Sequence, residues 1–145
     1  MSYTKNPSDK TGVVSTTART KAFSDLNLKL TLHPVRKDIM PLKDDAAVKN
    51  SVKNILLTNF FERPFQPDSG GNLRALLFEP ADAITRVAIR DAVKNALLNK
   101  EPRIEDVTVI VDNDEAKNAY RLTVGFNIKQ IDKSETVEII LKRLR

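Results

Sequence analysis

The chain has 145 residues, 41% of them hydrophobic and 30% charged, with a net charge of +5 and no cysteine. That length and balance favour one domain with an ordinary core, and the missing cysteines exclude disulfide frameworks, thiolate metal sites and cysteine nucleophiles, in keeping with a reducing compartment. No apolar run approaches the ~18 residues of a membrane span, and the N-terminus lacks the apolar segment of a secretory signal.

Residues 1–21 are rich in Ser, Thr, Asn and Lys and have little to bury. They read as a flexible basic arm. Up to residue 22, Lys5, Lys10, Arg19 and Lys21 face a single carboxylate, Asp9, so most of the net charge sits there. The arm is either inert or orders on a partner, as basic polar arms do. Residues 22–145 read as a single domain. Its first element is "LNLKLTLHP", where Leu26, Leu28, Leu30 and Leu32 alternate with polar residues, the mark of a half-buried strand ended by Pro34.

"DDAAVKNSVKNILLTN" predicts a helix capped by Asp44 or Asp45, with Val48, Val52, Ile55 and Leu56 in one apolar stripe. "FFERPFQPDSGGN" is a loop with defined bends that holds Phe60, Phe61 and Phe65, half of all the phenylalanines; these are expected to pack on the protein's own core. "NLRALLFEP" predicts a short helix capped by Asn72, lined by Leu73, Leu76 and Leu77 and ended by Pro80. The strongest helical pattern is "ADAITRVAIRDAVKNALLNK", with Asp82 as cap and Ile84, Val87, Ala88, Ala92, Leu97 and Leu98 as its apolar face.

Three strands follow. "RIEDVTVIVD" is β-branched, "AYRLTVGFNIKQ" alternates through Leu122, Val124, Phe126 and Ile128, and "TVEIILKRL" through Val137, Ile139 and Leu141. Short polar turns join them, which predicts an antiparallel meander. Gly125 suggests a bulge or a close backbone approach. The order implies an α+β, two-layer fold: three helices on one face of a mixed, mainly antiparallel four-stranded sheet that the leucine strand completes.

Catalytic chemistry finds little purchase. His33 is the only histidine, it precedes a proline, and no metal-ligand or phosphate-loop spacing exists. Glu62, Glu79 and Glu101 are the carboxylates in unusual loops. A general acid needs a raised pKa, and the neighbouring Arg63 and Arg103 oppose it. Nucleic-acid binding needs a basic stripe with stacking aromatics, whereas the net charge left to the folded part is small. No enzymatic activity, cofactor, metal, nucleic acid or membrane partner is expected.

"ILLTNFFERPFQPDSGGNLRALLFEP", then a long helix, then "EPRI" before a strand, closely resembles the gene-25-like family of contractile-tail baseplates, whose relatives include TssE and IraD. The resemblance runs from Phe23 to the last strand. It implies a structural subunit of the inner baseplate wedge, assembled in the host cytoplasm and carried in the virion. Such a subunit docks on a helical core bundle of other wedge proteins and offers a surface from which the tail sheath starts, with central hub or tube proteins as further candidate partners. A soluble regulatory adaptor of the IraD kind is the alternative. The lysozyme-like label of some members has no support in these residues.

Glu101, Pro102 and Arg103 match the family hallmark, which is associated with docking on the core bundle. Glu62 and Arg63 form the "ER" of the loop, before which relatives usually carry a glycine where this chain has Phe60 and Phe61. Pro102 stops the helix and stiffens the corner, and Arg103 can grip a carboxylate with its planar fork. The pair either reaches a partner or closes the corner within the chain. Val137, Ile139 and Leu141 lie on a terminal strand. Lys142, Arg143 and Arg145 guard its edge against aggregation, or the edge accepts a strand from a sheath subunit.

Overall fold

The computed structural model describes residues 23–131 and 133–143. The basic arm lies outside them. Two short strands, β1 (Ser24–Asp25) and β2 (Leu42–Lys43), pair antiparallel. Three helices follow: α1 (Asp44–Leu57), α2 (Leu73–Leu76) and α3 (Ala83–Lys100). The chain closes with β3 (Ile104–Asp114), β4 (Ala119–Ile128) and β5 (Lys133–Lys142), an antiparallel sheet in the order β3-β4-β5.

The meander forms as its alternation dictates. Val109, Val124 and Val137 share one cross-strand row, and Val111, Leu122 and Ile139 the next. These rows pack against Val48, Val52 and Leu56 of α1, Leu73 of α2, and Ile89, Val93 and Leu97 of α3. The intervening row, Ile110, Thr123 and Glu138, lies on the opposite, more open face. The fold is therefore α+β, with the helices covering one face of the sheet.

The sheet itself corrects the expectation of a mixed, four-stranded one. Among the described residues it has three, all antiparallel, and the leucine segment stays outside it. Its alternation is broken by a local turn. Asn27 accepts from Lys29 N through its side chain at 3.0 Å and from Leu30 N through its carbonyl at 2.9 Å. Leu30 then takes a positive φ of 50°. Side-chain bonds of this kind compete directly with strand pairing. Leu26, Leu28, Leu30 and Leu32 are each more than half exposed. His33 closes the next turn, its Nδ1 accepting from Val35 N and Arg36 N, both at 3.2 Å.

The helices follow their sequence signals in part. Asp82 caps α3 by accepting from Thr85 N at 2.7 Å. Asp44 and Asp45 are the first two residues of α1 rather than its cap, and Asn72 precedes α2 in a left-handed conformation without a side-chain cap bond. The stripe of α1 is buried as expected. The buried row of α3 is Thr85, Ile89, Val93, Ala96 and Leu97. Ile84, Val87 and Leu98, placed on that face from the sequence, are exposed. Gly125 does stand at a bulge, as suggested, but not at a close approach: it pairs with Thr108, where the register shifts, and a Cβ there would meet only the Thr108 carbonyl at 4.0 Å, an ordinary contact. The extra residue lies opposite, in β3 between Glu105 and Thr108, where Asp106 takes a φ of 51°.

The aromatic loop departs most. Phe60 is partly exposed, Phe61 is 81% exposed and Phe65 fully so. The loop is nevertheless tightly built. Phe61 N donates to Pro67 O at 2.8 Å, and Gly71 N closes the end of α1 by donating to Ile55 O at 3.0 Å. Gly70 makes this possible, with a φ of 142° and its Cα against the Thr58 carbonyl. A Cβ there would come within 2.3 Å of that oxygen. Gly70→Ala should therefore cost about 2–3 kcal/mol, from strain and backbone overlap together. Thermal unfolding of the variant checks this; a parent-like midpoint would mean that the loop shifts freely away from α1.

Candidate docking site at the helix–strand corner

Pro102 ends α3 as the sequence demands. Glu101 leaves the helix with φ −121° and ψ 87°, and its N–H makes the last helical bond, to Leu97 O at 2.9 Å. The two-residue turn folds Arg103 back over the helix end. Its Nε donates to Glu101 Oε1 at 2.7 Å and its Nη2 to Oε2 at 2.9 Å, a two-pronged ion pair. Ser51 of α1 donates its hydroxyl to Glu101 Oε2. Arg103 Nη1 donates to Asp25 of β1 at 3.2 and 3.1 Å, and the guanidinium lies 5.5 Å from the centre of the Phe23 ring.

The electrostatics follow from this packing. Glu101 is only 3% exposed. Burial alone would raise its carboxyl, but the bonds from Arg103 and Ser51 and the Arg103 charge outweigh it and hold the group below the usual carboxylate range. Arg103 is held above its ordinary value, first by the bonds to Glu101 against the opposing effect of burial, and further by Asp25.

The other residues singled out from the sequence lie elsewhere. Pro102 is exposed, and its carbonyl accepts from Lys129 Nζ at 2.9 Å. Glu62 and Arg63 are exposed in the aromatic loop. Glu62 turns back on Asn59, accepting from its N at 2.9 Å and from its Nδ2 at 2.6 Å; these bonds lower its carboxyl below the ordinary value. Neither Glu62 nor Glu101 thus has the raised pKa of a general acid. An open cleft of about 550 Å³ joins loop and corner, lined by Arg63 and Phe65 on one side and by Ser51, Asn54 and Lys100 on the other.

Val137, Ile139 and Leu141 are buried against the helical layer, so β5 offers its backbone edge rather than these side chains. Arg143 is not spare at that edge: it donates to Glu79 O at 2.8 Å and to Leu77 O at 3.4 Å beyond α2. Arg145 is outside the described residues. Sequence reasoning missed Ser51, Asp25 and Phe23. Ser51 and Asp25 reach the corner from 50 and 78 positions away, and no local pattern marks them.

The fold is one that solved proteins of contractile injection systems share. A crystal structure named for a tail lysozyme of Geobacter sulfurreducens superposes with a TM-score of 0.63 at 24% identity, covering 68% of this chain and 89% of that one. A subunit of the anti-feeding prophage baseplate superposes with a TM-score of 0.55 at 16% identity, covering 85% and 87%. The model of the baseplate wedge protein gp25 family matches residues 43–133, and the chain belongs to that family. The baseplate wedge protein gp25 of Enterobacteria phage T4 is 29% identical over 124 residues, 86% of this chain and 92% of the T4 protein. The chain is thus a baseplate wedge protein of a contractile tail.

The depressed Glu101 value has a measurable consequence. Its pairing stabilises the fold fully above the ordinary carboxylate value of 4.5 and is lost as pH falls through the lower folded value. In that window the unfolded chain binds more protons, so stability rises with pH. Glu101→Gln should be weaker than the parent by about 2 kcal/mol at neutral pH, and the gap should narrow on acidification below about pH 4. Urea unfolding of both proteins across pH 3–7 reads this directly, and a constant gap would contradict it.

Proposed function

We propose that this chain is a structural, non-hydrolytic subunit of the inner baseplate wedge. Residues 22–145 act as one body, assembled in the host cytoplasm and carried into the virion. The Glu101-Pro102-Arg103 corner docks on a helical core bundle formed by other wedge proteins, with hub or tube proteins as neighbours. The observation that carries this reading is the rigidity of the corner. A guanidinium fixed by Glu101 and Asp25, with Pro102 exposed beside it, loses little freedom on binding.

Because Arg103 also braces the monomer, truncating it alone would confuse folding with docking. Replacing both charges, Glu101→Leu with Arg103→Met, should leave monomer stability within about 1 kcal/mol, since buried pairs exchange well for apolar ones. The same variant should fail to enter wedges reconstituted from purified subunits. Normal incorporation would remove the corner from the docking site.

The sheath starts from β5. This strand is an outer edge of the sheet. Its inward residues Val137, Ile139 and Leu141 fix it to the core, and Lys133 ties its beginning to α1 through Asp45 at 2.7 Å. A groove of about 400 Å³ beside it, lined by Leu57, Arg74, Leu77 and Ile140, can receive the side chains of an added strand. Alternate β5 residues turn their N–H away from β4, so proline at whichever of Glu138 and Ile139 points outward leaves the internal ladder whole. Baseplates carrying it should assemble but not grow sheath; normal sheath growth, seen by electron microscopy, would sink the idea.

A further inference from the structure

The aromatic loop is the most unusual exposed surface among the described residues. Phe61 holds a φ of 64°, a left-handed conformation that bulky side chains rarely adopt. The strain places Phe61 not in the core but in solvent, in the same loop as the fully exposed Phe65. The loop does not relax, because its frame is closed: Glu62 holds Asn59, Phe61 N holds Pro67 O, and Pro64 and Pro67 stiffen the segment between. Strain kept up by a surrounding frame, with no return in the monomer, points to a role outside it.

The surroundings indicate what the loop meets. Clefts of about 550 and 270 Å³ flank it, the second between Phe60 and Ala92, Ala96 and Asn99 of α3. Arg63 and Lys100 line the larger cleft. Of the nearby carboxylates, Glu62 keeps its charge but has Arg74 to offset it, which leaves Asp68 against the two cations of the cleft. Rigid aromatic knobs between clefts, rimmed by positive charge, fit an apolar groove with acidic edges.

We infer that Phe61 and Phe65 are the apolar anchors by which this chain docks, and that their partner is the groove between two helices of a neighbouring wedge protein, edged by Asp and Glu. The inference rests on the wedge-docking reading above and deepens it. The corner orients the contact and the loop supplies its apolar burial.

The experiment uses the full chain and the purified wedge subunits of the same tail. Phe61→Gly removes the strain and the ring together, and Phe65→Ala removes a ring that touches nothing. Both variants should unfold no lower than the parent by calorimetry, yet bind the wedge subunits about tenfold or more weakly, as truncated anchors do. Added salt should weaken parental binding further. None of the three proteins should sediment with vesicles of equimolar phosphatidylcholine and phosphatidylglycerol. Parent-like binding by both variants overturns the inference while leaving the docking reading intact. Vesicle binding lost in Phe61→Gly overturns it in favour of a lipid surface. A parent that binds no wedge subunit overturns the docking reading itself, and the anchors with it.

Discussion

A carboxylate at the end of a helix, 3% exposed, is tenable only if its charge is matched. Glu101 is in that position, and Arg103 is what matches it. Pro102 halts α3 and the turn brings the guanidinium back so that two of its nitrogens meet the two carboxylate oxygens. The remaining nitrogen reaches Asp25, and Ser51 completes the shell from α1. One ion pair therefore sets the end of α3, the start of β3, the middle of α1 and the position of β1. β1 pairs with β2, and β2 runs directly into α1. The small two-stranded sheet, outside the main one, is thereby tied to the core through charge as well as backbone.

How much of this was legible varies with the physics of each element. The meander was readable because a sheet covered on one face imposes a period of two on the residues themselves. Leu122, Val124, Phe126, Val137, Ile139 and Leu141 all lie where that period puts them. The leucines from 26 to 32 show the same alternation and fail because pairing needs a partner strand, while Asn27 offers the backbone a closer one in its own side chain. On α3 two apolar rows compete. The row that faces the sheet contains Thr85, and the row that contains Ile84 and Val87 faces water. Hydrophobicity alone does not rank two such rows; the direction of the chain into the corner does.

The corner was visible as a connector too stiff and too charged to be casual, and the helix stop came directly from Pro102. Where its charges go was not visible, since Ser51, Asp25 and Phe23 arrive by tertiary folding. The aromatic loop misled for a related reason. Three phenylalanines close together read as core material, but Gly70 and the two prolines set a backbone path that carries two of the rings outward. Composition suggests how much apolar surface there is to bury, and backbone geometry decides whether the chain itself can bury it.

In the proposed docking, the two neighbouring elements divide the work of binding in a way that follows from their energetics. Charges already satisfied within the chain gain little more from a partner, because any new contact competes with one that exists. The Glu101–Arg103 pair can fix orientation and shape, but it has little left to give to affinity. The exposed rings are in the opposite condition. Their burial is wholly unrealised in the monomer, and the rigid frame removes most of the ordering cost that usually offsets it. On the docking proposed above, such a surface with both parts side by side separates specificity from strength: the corner sets how a partner must lie, and the loop how firmly it stays.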